Sequence, residues 1–151
     1  MKRTLLSFLA MAAMSATAMA ADIKPAIIYD LGGKFDKSFN EAAYGGAEKF
    51  KTETGIDYRD FEIANDAQRE QALRRFAKDG NNPIVMAGFS WGAALEKIAP
   101  EYPDTDFAII DMVVDAPNVR SVVYKEQEGS YLVGVMAAKA VSYTHLRAHE
   151  T

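Results

Sequence analysis

Short apolar runs bounded by turn residues alternate along this chain with segments whose apolar residues recur at helical spacing. Pro25-Ala26-Ile27-Ile28-Tyr29-Asp30 is an apolar run ending in an acid. It reads as a buried strand, with Leu31-Gly32-Gly33 as the loop beyond it. From Ser38 to Thr54, helix formers carry apolar positions at Phe39, Ala42, Ala43, Ala47 and Phe50. Ser38 followed by Glu41 matches a capping box, and Gly55 is placed to stop the helix. Asp57 to Ile63 alternates enough for a second strand. Asn65, with Gln68 three residues on, opens a helix whose buried face is Ala67, Ala72, Leu73, Phe76 and Ala77, and Gly80 ends it. Pro83 to Ala87 is a third strand leading into Gly88-Phe89-Ser90. Trp91 to Ala99 is a short helix closed by Pro100. Asp106 to Asp111 is a fourth strand, again ending in an acid, and Val119 to Tyr124 a fifth. Glu126 to Ala140 reads as a helix rich in Ala, Leu, Val, Met and Lys.

Strands thus alternate with helices, and several strands are apolar almost throughout. That pattern predicts a parallel sheet covered on both faces, a doubly wound α/β domain. In such sheets ligands bind beyond the carboxyl ends of the strands. The strand ends therefore nominate three stretches: Asp30 to Asn40, Ala87 to Trp91, and Asp111 to Asp115.

The two ends of the chain differ from this body. Lys2 and Arg3 precede an apolar stretch, Leu5 to Ala13, and Ala18-Met19-Ala20 has the small-x-small form of a cleavage site. Residues 1–20 therefore read as a cleavable signal peptide, which predicts export. The apolar stretch is too short to span a bilayer comfortably. After Ala140 the composition changes abruptly. The run SYTHLRAHET resembles a peptide that recurs at the ends of unrelated sequences and looks like translated sequencing-adapter DNA. The expectation is that natural sequence stops near Ala140 to Ser142 and that residues 141–151 are foreign.

Composition narrows the chemistry. The chain has 151 residues, enough for one domain of ordinary size. Lys+Arg 17 against Asp+Glu 21 gives a net charge of -4, which speaks against a general nucleic-acid binder. With Cys 0 there is no thiolate metal site, cysteine nucleophile or acylated cysteine. His145 and His149 are the two histidines, so a Ser-His-Asp triad has nowhere to sit in the body of the chain. Those histidines have i,i+4 spacing but no third ligand nearby, so no metal is expected.

The loop Asp30 to Asn40 is neither a phosphate-binding P-loop nor a dinucleotide fingerprint, and its acids do not recur as in a calcium loop. It offers paired glycines, carboxylates at Asp30 and Asp36, the hydroxyl of Ser38, and the aromatic Phe39 beside the amide of Asn40. An aromatic face can stack on a planar ligand, and an amide or carboxylate can read ring edges and hydroxyls. Capping by Asp36 and Ser38, and core packing of Phe39, are the competing structural roles. The second loop brings Phe89, Ser90 and Trp91 to another strand end, where Trp91 could equally pack under the following helix. Asp111 closes an apolar strand, where an unpaired carboxylate would be costly to bury.

The segments IIYDLGGKFDKSFNEAAYGGAEKF, VMAGFSW and YPDTDFAIIDMVVDAPNVRSVVYKEQEGSYLVGVMAAKA together resemble the basic membrane protein family, the purine-nucleoside-receptor-like substrate-binding proteins of ABC transporters. The resemblance runs from about Ile27 to Ala140. It implies the first lobe of a type I periplasmic binding protein fold over residues 21–140, with ligand held between this lobe and a second one. It implies a binding protein rather than an enzyme, with no cofactor. The implied ligand is a purine nucleoside, stacked on Phe39 beside Asn40 and held at its base edge by Asp111. The implied partners are the permease and ATPase of an importer, which provide the sole link to the membrane, and the implied location is the periplasm. Family chains are about twice this length, and many are lipoproteins. A type I binding protein for a sugar or other small polar ligand is the alternative reading.

Overall fold

The computed structural model describes residues 23–140, so the expected signal peptide and the 141–151 tail lie outside the described residues. Five strands form one sheet: β1 (Ala26–Tyr29), β2 (Arg59–Glu62), β3 (Ile84–Ala87), β4 (Phe107–Ile110) and β5 (Val119–Val122). Their order across the sheet is β2-β1-β3-β4-β5, and every pairing is parallel. The α/β expectation from the apolar runs therefore holds. Each strand is shorter than the run that announced it, although Pro25 and Asp111 just beyond the ends still bond to the neighbouring strands at Arg59 and Val122.

Among the described residues four α-helices accompany the sheet: α1 (Phe39–Thr54), α2 (Gln68–Lys78), α3 (Gly92–Ile98) and α4 (Glu126–Ala140). A single 3-10 turn, Phe89–Trp91, separates β3 from α3, so Trp91 ends that turn instead of opening the helix. Gly55 ends α1 in a left-handed conformation, φ 72°, which a side chain would resist. The capping box at Ser38 and Glu41 does not form. Ser38 makes no capping hydrogen bond through its side chain. Asp36 caps α1 instead, accepting from the N–H groups of Ser38 at 2.8 Å, Asn40 at 3.2 Å and Glu41 at 3.2 Å. Glu41 reaches back to the Lys37 N–H at 2.9 Å. A carboxylate two residues ahead of the N-cap outcompetes the serine because it meets three orphan donors at once.

Helices stand on both faces of the sheet, as the doubly wound pattern predicts, but they seal the two faces unequally. On one face α2 and α3 seal Ile28, Ile84, Met86, Phe107 and Ile109 with Leu73, Phe76, Leu95 and Ile98. On the other face α1 stands over the sheet with Asn40 as its sole buried residue. Beside it runs an apolar groove of about 830 Å³ lined by Ile27, Phe39, Ala43, Phe50, Val85 and Ile110 among others. Helix α4 buries no residue, and Tyr131, Leu132, Val133 and Met136 are exposed along it.

Candidate functional site

The carboxyl ends of β1, β3 and β4 bring the three nominated stretches to one edge of the sheet. The register aligns Ile28 with Met86, Ala87 with Ile110, and Ile110 with Val122. Asp30, Gly88 and Asp111 each follow directly on a strand and share that edge. The chain leaves β1 for β2 on one side and β3 for β4 on the other, so β1 and β3 flank the topological switch point.

Asp30 lies at this point. Its N–H donates to the Asn40 side-chain oxygen at 3.0 Å. Its Oδ1 accepts from the Leu31 N–H at 2.7 Å and from Arg69 Nη2 at 2.5 Å. Its Oδ2 accepts no hydrogen bond among the described residues and lies over Gly88. A Cβ built on Gly88 would stand 2.9 Å from that oxygen, and Gly88 has φ 109°. Both the space and the backbone angle therefore require glycine here.

The loop from Leu31 to Lys37 is a fixed platform. Asn40 is buried beneath it, and its amide nitrogen donates to the carbonyls of Asp30 at 3.1 Å and Gly33 at 3.2 Å. The structure thus spends the Asn40 amide on the loop backbone and turns it away from the strand-end opening. Glu62, at the end of β2, accepts from the Lys34 N–H at 2.9 Å. Lys34 pairs with Asp60, whose hydrogen bond outweighs the effect of burial and raises the lysine above its ordinary pKa. Partial burial works to raise the Asp36 pKa, but its backbone donors outweigh that and hold the carboxyl below its ordinary value. Asp36 is thus engaged as the α1 cap.

The aromatics divide by exposure. Phe89 is 64% exposed and Phe39 37% exposed, so each offers part of its ring to solvent. Phe39 also lines the strand-end mouth of the apolar groove. Ser38 and Ser90 are exposed beside them. Trp91 is fully buried in the core, which matches the packing role weighed for it and leaves it out of reach of a ligand at the edge. Asp111 has φ 72°, a left-handed conformation uncommon for a residue with a Cβ. Its N–H donates to the Val122 carbonyl at 2.7 Å, while its carboxylate has no hydrogen bond or ion pair among the described residues.

The Bmp profile, described as ABC transporter substrate-binding protein PnrA-like, matches residues 24–145. This chain belongs to the Bmp family. A Pyrococcus horikoshii lipoprotein is 37% identical over 119 residues, covering 77% of this chain and 29% of its own length. The ABC transporter nucleoside-binding protein BmpA of Lactococcus lactis is 32% identical over 124 residues, covering 79% of this chain and 35% of its own. The crystal structure of an ABC transporter solute-binding protein from Aeropyrum pernix superposes with a TM-score of 0.73 at 37% identity, over 77% of this chain and 32% of that one. The chain spans about a third of the length of these Bmp relatives. Over the matched residues the chain thus has the sequence and the α/β fold of part of an ABC transporter substrate-binding protein.

One residue at the site escaped the sequence reading. Arg69 is 6% exposed and grips Asp30 from α2. The signal was present: Arg69 falls on the same helical stripe as Ala72, Leu73, Phe76 and Ala77, so the pattern placed a charge on a buried face.

Proposed function

We propose that this chain forms one wall of the ligand cleft of an exported substrate-binding protein, and that the ligand is a purine nucleoside delivered to the permease and ATPase of an importer. The observation that carries this reading is the Asp111 carboxylate, unpartnered among the described residues and held in a left-handed backbone, on the same strand-end edge as the exposed rings of Phe39 and Phe89. A ring face stacks on a base, and a carboxylate accepts from the N–H groups or hydroxyls at its rim. Asp30 Oδ2 offers a second acceptor at the switch point. The nucleoside-binding name of the Lactococcus lactis relative supports the same ligand class. Capture requires no covalent step; affinity comes from stacking, hydrogen bonds and closure of a second lobe over the first. A residue 1–20 leader would carry the protein out of the cytoplasm.

The test is calorimetric titration of the whole protein with adenosine, guanosine, inosine and ribose. Nucleoside binding without turnover is expected. Phe39→Ala and Asp111→Ala are each expected to weaken it by about 1–3 kcal/mol, through lost stacking and through a base donor left unpaired. Ribose binding with no nucleoside binding would overturn the reading in favour of a sugar ligand. Unchanged nucleoside affinity in both variants would return the two residues to structural roles.

A further inference from the structure

We propose that Arg69 is the positioning residue of the strand-end site: it fixes the Asp30 carboxylate so that Oδ2 is presented to ligand at the β1/β3 switch point. The proposal deepens the binding reading above and rests on Asp30 being a ligand contact.

Arg69 stands in the first turn of α2, outside the three strand-end stretches in sequence. Its Nη2 donates to Asp30 Oδ1 at 2.5 Å and to Asp66 Oδ1 at 2.8 Å, and its Nε donates to Asp66 Oδ1 at 3.2 Å. Its guanidinium carbon lies 4.8 Å from the centroid of the Trp91 ring. One side chain therefore joins the end of β1, the start of α2 and the turn that follows β3. Together with the Leu31 N–H, it engages Oδ1 from two directions. With Oδ1 held, the orientation of the carboxylate is set and Oδ2 falls over Gly88.

The arrangement is not what packing alone would select. A buried guanidinium is costly unless its donors are met. Here Arg69 Nη1 is sealed from solvent and has no acceptor among the described residues, and neither does the nearby Trp91 Nε1. Ala72 and Leu73 fill the same stripe of α2 without that cost. The donors that Arg69 does place, on Asp30 and Asp66, account for a guanidinium on this stripe. Holding a ligand contact in place before the ligand arrives removes the ordering cost from binding.

The test compares Arg69→Met, Asp30→Asn and the double variant in the whole protein. Two readouts are taken: hydrogen exchange of the Leu31 amide, with the Ile109 amide as a core reference, and adenosine titration by calorimetry. Arg69→Met is expected to speed Leu31 exchange about tenfold relative to Ile109 and to weaken adenosine binding about tenfold. In the Asp30→Asn background it should change affinity by less than about twofold, because residues acting through one group are not additive. Arg69→Lys keeps the charge without the fork and should fall between. It carries the same comparison should Arg69→Met not fold. Unchanged Leu31 exchange, or losses that multiply in the double variant, would overturn the proposal. If the parent bound neither adenosine nor ribose, the binding reading would fall with it, whereas Leu31 exchange would still decide whether Arg69 holds Asp30.

Discussion

The two faces of the sheet are made from the same strands and differ in what they meet. On the α2/α3 face, Ile28, Ile84, Met86, Phe107 and Ile109 are almost wholly buried against two helices. On the α1 face, Ile27, Val85 and Ile110 border an open groove, and Phe50 of α1 is 36% exposed. Successive strand residues point to opposite faces, so each strand contributes to both environments. The well-packed side anchors the strand-end residues. The strand-end site is fastened to the sealed face: Trp91 is rooted in that core, Arg69 stacks on Trp91, and Arg69 holds Asp30. The open face touches the site at Phe39 and Ile110 alone among its named lining residues, and both remain partly exposed.

The contrast can be broken or sharpened by substitution. The largest effect is expected from Phe76→Ala on the sealed face, which should lower unfolding free energy by about 3–5 kcal/mol through lost burial and a residual cavity. Urea denaturation followed by Trp91 fluorescence measures it; a loss below 1 kcal/mol would mean that this face relaxes freely. Next is Gly88→Ala, where the two regions meet. A methyl group forced against Asp30 Oδ2, in a backbone conformation that disfavours side chains, should cost about 1–3 kcal/mol. It should also displace Asp30, so a crystal structure with the carboxylate unmoved would refute the close approach. Phe50→Ala, on the open face, should change stability by less than about 1 kcal/mol, since the ring is already partly in water. A loss equal to that of Phe76→Ala would show that the two faces do not differ.

The smallest effect is acid sensitivity on the solvent side of the sealed face. Glu70 accepts from Lys97 Nζ at 2.8 Å and from Arg74 Nη1 at 3.1 Å, and Glu101 accepts from Arg74 Nη2 at 2.8 Å. These donors hold both carboxyls below the ordinary glutamate value of 4.5. A depressed folded pKa contributes stability that is complete above the unfolded value and is lost as pH falls through the folded one. The urea midpoint should therefore decline on acidification below pH 4.5, and Glu70→Gln should flatten that decline. An identical slope in the variant would show that the exposed network contributes nothing.

The sequence by itself determined the order of elements, their kind and the edge where a ligand should sit. Ile27-Ile28-Tyr29 and Phe107-Ala108-Ile109-Ile110 could only be short buried strands between helical stretches, and such alternation leads to a parallel sheet with its ligand edge at Asp30, Gly88 and Asp111. Periodicity reports which side of an element is buried but not what lies opposite. Tertiary structure decided that Arg69 meets Asp30 from 39 positions away, because α2 packs on the face that passes behind β1 and β3. It decided that Asn40 turns inward, since the loop carbonyls of Asp30 and Gly33 needed its donors. It placed Trp91 under α3 and made Asp36 the cap in place of Ser38. Each of these outcomes is a competition among polar or aromatic groups for partners distant or offset in the chain, and such competition is resolved when the chain is folded.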